Sequence, residues 1–164
     1  MKLSLISICL VVLSYGCSSS SPTAPTFDTT TKEDSAVITI QRWDGEEWIE
    51  TADLLSVSWT WRFISYLEKD DRSVRIKGGY TLDLSNPSDN DVEFSFNKLS
   101  FDDKDGIPIY EYTLIYDIDR FVSANGTDTY SGAFEIDLDN IDVSNQITKM
   151  FIWGAAFKEI NPLE

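Results

Sequence analysis

The chain has 164 residues, room for one ordinary domain, and with 42 % hydrophobic and 13 % aromatic residues it can build a core without disulfides. Its formal charge of −15 repels phosphate backbones and, summed over the whole surface, disfavours adhesion to anionic lipid headgroups. Nucleic acid is therefore excluded as a partner; what remains is solubility by self-repulsion, a basic partner, or divalent cations.

Met1-Lys2 gives a short positive start, and Leu3 to Leu13 is an apolar run interrupted only by Ser4 and Ser7. As a helix this run rises about 16 Å, far short of a hydrocarbon core of about 30 Å. It has the length of a signal-peptide apolar region, so residues 1–16 are read as a signal peptide. Gly16-Cys17 follows, and the pair with its flanks resembles the lipobox of bacterial lipoproteins, in which a small residue precedes a cysteine that is diacylated after cleavage. Ser14 and Tyr15 depart from that pattern, which has an aliphatic and a small residue there.

The resemblance implies cleavage after Gly16 and lipidation of Cys17. Ser14-Tyr15-Gly16 also fits a small-x-small site for ordinary secretory cleavage, which would leave a soluble protein with a free Cys17. Cysteine counting favours the anchor: Cys9 leaves with the signal, and a lone thiol in an oxidising compartment is a liability unless acylation consumes it. Ser18 in place of Asp after the cysteine implies the outer membrane, facing the periplasm. Residues 17–34 are then a lipidated cysteine and a Ser/Thr/Pro-rich tether that, fully stretched, reaches up to about 50 Å.

From residue 35 to 160 the pattern is period-two alternation, the mark of half-buried strands. Val57, Trp59, Trp61 and Phe63 form one row; Val74, Ile76, Gly78, Tyr80, Leu82 and Leu84 a second; Val92, Phe94 and Phe96 a third. The third changes phase to Leu99 and Phe101, which predicts a bulge near Asn97-Lys98. Tyr110, Tyr112, Leu114, Tyr116 and Ile118 make a fourth row, and Tyr130, Phe134 and Ile136 a fifth. Phe151, Trp153, Ala155 and Phe157 are expected to close the core. Asp44-Gly45 predicts a two-residue hairpin pairing Ile40 with Ile49 and Arg42 with Glu47. Residues 49–56 allow one helical turn at most. The fold class that follows is all-β, a single antiparallel immunoglobulin-like β-sandwich of about seven to eight strands.

Gly79 to Val92 resembles the "G-x-V-x-N-x-S/T-x-x-x-V" opening of FxLYD-type domains. Leu99-Ser100-Phe101-Asp102 with Asp105-Gly106 resembles their "L-Y-D-x-x-G" hairpin, and Ser123 to Phe134 their later segment. The likeness spans residues 75–137 without the Phe-x-Leu spacing. It implies a sandwich with a binding or accessory role, and it transfers no catalytic residue.

No histidine occurs in the chain, which removes the Ser–His–Asp and Cys–His arrangements and the commonest general base near neutral pH. No phosphate-binding glycine loop is present. No catalytic residue, cofactor or metal site is assigned, and the protein is expected not to be an enzyme. Asp102-Asp103-Lys104-Asp105-Gly106 is oxygen-rich, but the calcium-loop template needs an acid at Phe101 and no cation at Lys104. Asp137, Asp139 and Asp142 form a second acidic group. Trp43 and Trp48 flank the first hairpin turn and could face a sugar ring, or pack on each other across the strands; Trp59, Trp61 and Trp153 are assigned to the core.

The leading expectation is a lipid-anchored, non-catalytic domain of the cell envelope that binds another envelope protein. The alternatives are a small glycan-binding module using Trp43 and Trp48, or a calcium-dependent adhesion domain. Labelled palmitate is expected to enter the wild-type protein and not Cys17→Ala; equal labelling of both, or of neither, would remove the anchor.

Overall fold

The computed structural model describes residues 26–158, which hold seven strands and one turn of helix. In chain order these are β1 (Lys32–Trp43), β2 (Trp48–Glu68), β3 (Val74–Asn86), β4 (Val92–Asp102), β5 (Pro108–Val122), β6 (Gly126–Leu138), α1 (Ile141–Ser144) and β7 (Lys149–Lys158). The strand order β5-β4-β7-β1-β2-β3-β6 forms one curled sheet. Its two halves, β1-β2-β3-β6 and β5-β4-β7, face each other and enclose the core.

The halves meet in hydrogen bonding at one corner, where β1 and β7 run parallel over only two residue pairs, Ile40–Ala156 and Gln41–Phe157. Every other pairing is antiparallel. Between the halves the core is largely aromatic. Phe101 of β4 lies 4.7 Å from Phe134 of β6 and 6.1 Å from Trp61 of β2, and Phe96 stands 6.4 Å from Tyr80 of β3. Each such ring contributes on the order of 1.5–3 kcal/mol by leaving water.

The rows expected on β2, β3 and β4 are all inside, and the β4 phase change is a bulge at Asn97 against both β5 and β7. Gly78 occupies an inward position because the Phe134 ring fills the space its side chain would need. Asn86, fully buried, pins two turns together: its Nδ2 donates to the carbonyls of Asn90, Val122 and Ser123, and its Oδ1 accepts from the Ser88 amide and hydroxyl.

Several expectations are corrected. The first hairpin pairs Trp43 with Trp48 and Arg42 with Ile49, so Ile40–Ile49 and Arg42–Glu47 do not form. Asp44 stands before the turn, its carboxylate accepting the Glu46 and Glu47 amides at 2.9 Å each, and Gly45 takes the positive φ of 110°. Residues 49–56 are strand, with extra β2 residues bulging opposite Ile40. The fourth row breaks at Tyr116, which is 79 % exposed, because Phe96 pairs with Ile118 while Lys98 pairs with Thr113, and the intervening β5 residues loop out.

In β7 the phase is opposite to that expected. Met150 and Ala156 are inside and Ile152 half-buried, while Phe151 and Trp153 face solvent. The β4 bulge sets this register, placing Trp153 beside the outward Lys98.

The packed chain also starts earlier than residue 35. Phe27 stacks on Phe63 at 6.0 Å and lies 4.9 Å from Tyr66. Lys32 donates to the Ile147 carbonyl and sits 4.8 Å over the Trp61 ring. Residues 27–34 are therefore part of the domain rather than of the tether. Gly78→Ala is expected to cost about 1–3 kcal/mol through overpacking, read as a lowered urea midpoint at unchanged slope. An unaltered midpoint would mean that Phe134 does not occupy that space.

Candidate functional site

Strands β1, β3, β5 and β7 run one way and β2, β4 and β6 the other, so the sandwich has two distinct ends. The end we call distal carries the β1–β2 turn, residues 87–91, residues 123–125 and the end of β7; the proximal end carries the start of β1, residues 69–73, residues 103–107 and α1.

The distal end and the outer face of β5-β4-β7 form the most distinctive surface. Trp43 and Trp48, opposite each other, meet edge-to-face with centroids 5.6 Å apart at 61°, and Phe157 of β7 lies 4.7 Å from Trp48. Cross-strand packing, one of the two roles the sequence left open for Trp43 and Trp48, joins them in a register the sequence did not predict, and both remain over a third exposed. From Phe157 the aromatic surface continues down β7.

Pairing across the three strands sets this face out in rows. Phe157, Glu93 and Phe121 make one; Ala155, Ser95 and Asp119 the next; then Trp153, Lys98 and Thr113; then Phe151, Ser100 and Glu111. The β7 column from Phe151 to Phe157 runs about 20 Å. Trp153 is 59 % and Phe121 62 % exposed. Lys98 stands 5.5 Å over the Trp153 ring and pairs with Glu111, and beneath them the buried Ser100 hydroxyl donates to Asp102.

Carboxylates border the column: Asp44, Glu46 and Glu47 in the hairpin turn and Glu50 on β2, Glu93 within the face, Asp117 and Asp119 on β5. The amides of Glu47 and then Glu46 hold Asp44 below the usual carboxylate range. Trp153 and Phe121 were missed as surface residues. The signal for Trp153 was its neighbour Gly154, which lies against Phe94, Ser95 and Phe96 where a side chain would collide, so that Trp153 must point outward.

The acidic segments are occupied otherwise. Asp103 accepts the Asp105 and Ile107 amides, Lys104 pairs with Asp105, and Asp137 is held by Arg75 and Lys69. Among the described residues no three His, Cys, Asp or Glu side chains converge as a metal-ligand set. Gly16 and Cys17 lie outside the described residues. An open groove of about 770 Å³ runs along the start of β3 and the end of β6, lined by Ile64, Lys77, Tyr112 and Phe134 among others; Lys77 is paired there with Glu135. Tyr80 is pushed well above the usual phenol range, first by burial and then by Tyr130 beside it.

No family model matches the chain, and no curated protein does. Among solved structures, a structural-genomics target designated SoR45 is 11 % identical at a TM-score of 0.40, covering 67 % of this chain and 90 % of its own. A DUF1425 family member from Shewanella sp. pv-4 is 8 % identical at a TM-score of 0.34, covering 76 % and 92 %.

The proximal end is tied by carboxylates whose protonation the fold opposes. Asp28 is lowered to about 2, chiefly by the Thr30 amide, then by the Thr30 hydroxyl and Lys32. Asp137 is lowered by Arg75 and then Lys69. A depressed folded value gives stability that is present above the ordinary carboxylate range and lost as pH falls through the folded value. Asp28→Asn is thus expected to lower the urea midpoint at neutral pH and to converge with wild type as pH falls from about 4 to about 2. A constant difference across that window would remove Asp28 as a contributor.

Proposed function

We propose that this protein is a non-catalytic binding domain of the bacterial cell envelope, held to a membrane by lipid on Cys17, that docks a basic partner protein on its aromatic β7 face and distal hairpin. The observation that carries the reading is the column of exposed Phe151, Trp153 and Trp48, joined through the half-buried Phe157, with its border of carboxylates. Contiguous exposed aromatics mark interaction surfaces, and Trp is among the residues that dominate binding energy when a partner covers them. The flanking acids would steer and orient cationic side chains, which also stack favourably on indole faces.

The resemblance to lipoproteins supports the anchor and an outer-membrane, periplasm-facing position; the FxLYD resemblance supports an accessory role. Ordinary secretion, with Cys17 free, would leave the same binding face on a soluble protein. A glycan is the second reading, motivated by the half-exposed Trp43 and Trp48. Their rings stand at 61° and share no plane for a row of sugars, which favours a protein partner.

A photo-reactive residue at position 153 or 48, in the full chain in cells, is expected to capture one protein that the same residue at Ser58 or Thr60 does not. Glu47→Lys with Glu50→Lys should weaken that capture about tenfold, as loss of complementary charge predicts. Equal capture from all four positions, or none while a control lipoprotein crosslinks well, would reject the face as the docking site.

A further inference from the structure

The packed start of the domain fixes which end faces the bilayer, an inference that rests on lipidation of Cys17. Phe27 is clamped between Phe63 and Tyr66, and Asp28 pairs with Lys32 at 2.9 Å, so the chain enters the domain at its proximal end, beside the last residues of β2. Only residues 18–25 separate Cys17 from the described chain, and eight residues span at most about 30 Å. Strand β3, whose 13 residues run between the two ends, is about 43 Å long. The tether is therefore shorter than the domain, and the distal end cannot be turned down onto the membrane.

Beside the entry point, Ile64 is 56 %, Tyr66 45 % and Leu67 65 % exposed. Leu67 stands next to the β2–β3 turn, where Arg72 adopts a positive φ of 70°, while Tyr66 lies against Phe27 on the inner side and Ile64 sits at the β2 bulge between Phe63 and Ser65. Arg62, Lys69, Arg72, Arg75 and Lys77 cluster around them and offset the local acids, with Arg75 and Lys69 paired to Asp137 and Lys77 to Glu135. At the opposite end Asp44, Glu46, Glu47 and Glu50 outnumber the cations Arg42 and Lys158. Glu68, Asp70 and Asp71 leave the β2–β3 hairpin close to neutral rather than basic, so an anionic bilayer repels it less than it repels the distal turn.

We propose that the β2–β3 end, through Ile64, Tyr66 and Leu67, rests on the headgroup layer of the membrane that holds the Cys17 lipid. Apolar side chains at that level settle at the boundary between headgroups and acyl chains while neighbouring Lys and Arg reach outward to phosphate. The aromatic distal end is thereby held away from the bilayer, open to a partner.

The test uses the full chain purified from membranes and reconstituted into vesicles of phosphatidylethanolamine and phosphatidylglycerol. A fluorophore is placed on Ser65→Cys or on Glu46→Cys, with a headgroup spin-labelled lipid as quencher. Quenching at position 65 is expected to exceed that at position 46 by about threefold, and to fall to the level of position 46 in Leu67→Asp with Ile64→Asp. Protein that floats with the vesicles but is quenched equally at both positions, or more at 46, overturns the membrane-facing end while leaving the anchor intact. Protein that does not float shows that Cys17 carries no lipid, and removes both.

Discussion

Where β1 leaves β7 after two residue pairs, the sandwich has an open corner, and two tryptophans of β2 close it. The Trp59 indole N–H donates to the Met150 carbonyl at 2.9 Å, and the Trp61 indole N–H to the Asp34 carboxylate at 3.1 Å. The same Asp34 oxygen accepts the Met150 amide at 3.3 Å. Met150 is fully buried, so its backbone donor and acceptor have no water to turn to; leaving either unpaired would cost about 1–3 kcal/mol. Indole suits this task because one side chain supplies both a large apolar surface and a donor at its rim. Asp34 accordingly stands at an inward register position, opposite Trp59, where alternation alone would call for an apolar residue. No buried side-chain polar atom among the described residues lacks a partner.

Both surfaces of interest depend on that corner. Because β7 is tied to β1 only at its distal end, its proximal half lies against β4, with Phe151 and Trp153 on the outside. Because β1 parts from β7 toward its start, Lys32 can lie across the opening, over Trp61 and bonded to Ile147, and carry Asp28 and Phe27 with it. One split in the sheet thus exposes the aromatic column and sets where the packed chain begins. It also moves the start of the packed domain ahead of the position read off composition, since residues 27–34 are used in packing.

Legibility followed the strictness of alternation. On β2 and β3, Ser, Thr, Asp and Arg separate the apolar residues, so the buried rows could be read directly. On β4, where Phe94 and Phe96 give way to Leu99 and Phe101, the bulge at Asn97 was visible as a phase change. On β7 both phases are apolar: Met150, Ile152 and Ala156 against Phe151, Trp153 and Phe157. Assigning the larger residues to the core gave the wrong face, because the space opposite was already filled by Phe94 and Phe96 and admits only Gly154. The β5 loop-out and the hairpin register failed for another reason. Each depends on a pairing or a side-chain hydrogen bond, such as Asp44 to two amides, that hydrophobic pattern does not encode. The lipidation proposed at Cys17 is a covalent fate that strand pattern does not encode.

The contrast between the two outer faces bears on what the aromatic column is for. The outer side of β2-β3-β6 carries Ser56, Ser58, Thr60, Thr81, Asp83, Thr129 and Ser131 along most of its length, with Thr81 bonded to Ser131 and Thr129 to Asp83. That face shows that a solvated outer surface in this sandwich can be built from small polar residues. The β7 face instead leaves Trp153 more than half in water, where its area contributes nothing to folding. At roughly 25 cal/mol per Å², covering Trp153, Phe151, Trp48 and Phe121 would release several kcal/mol to whatever covers them. The bulged β5 edge, with Ile115 90 % exposed, offers no regular row of backbone groups for a further strand. On the proposed reading, an acidic rim around an apolar stripe would select among apolar partners for those that also carry positive charge.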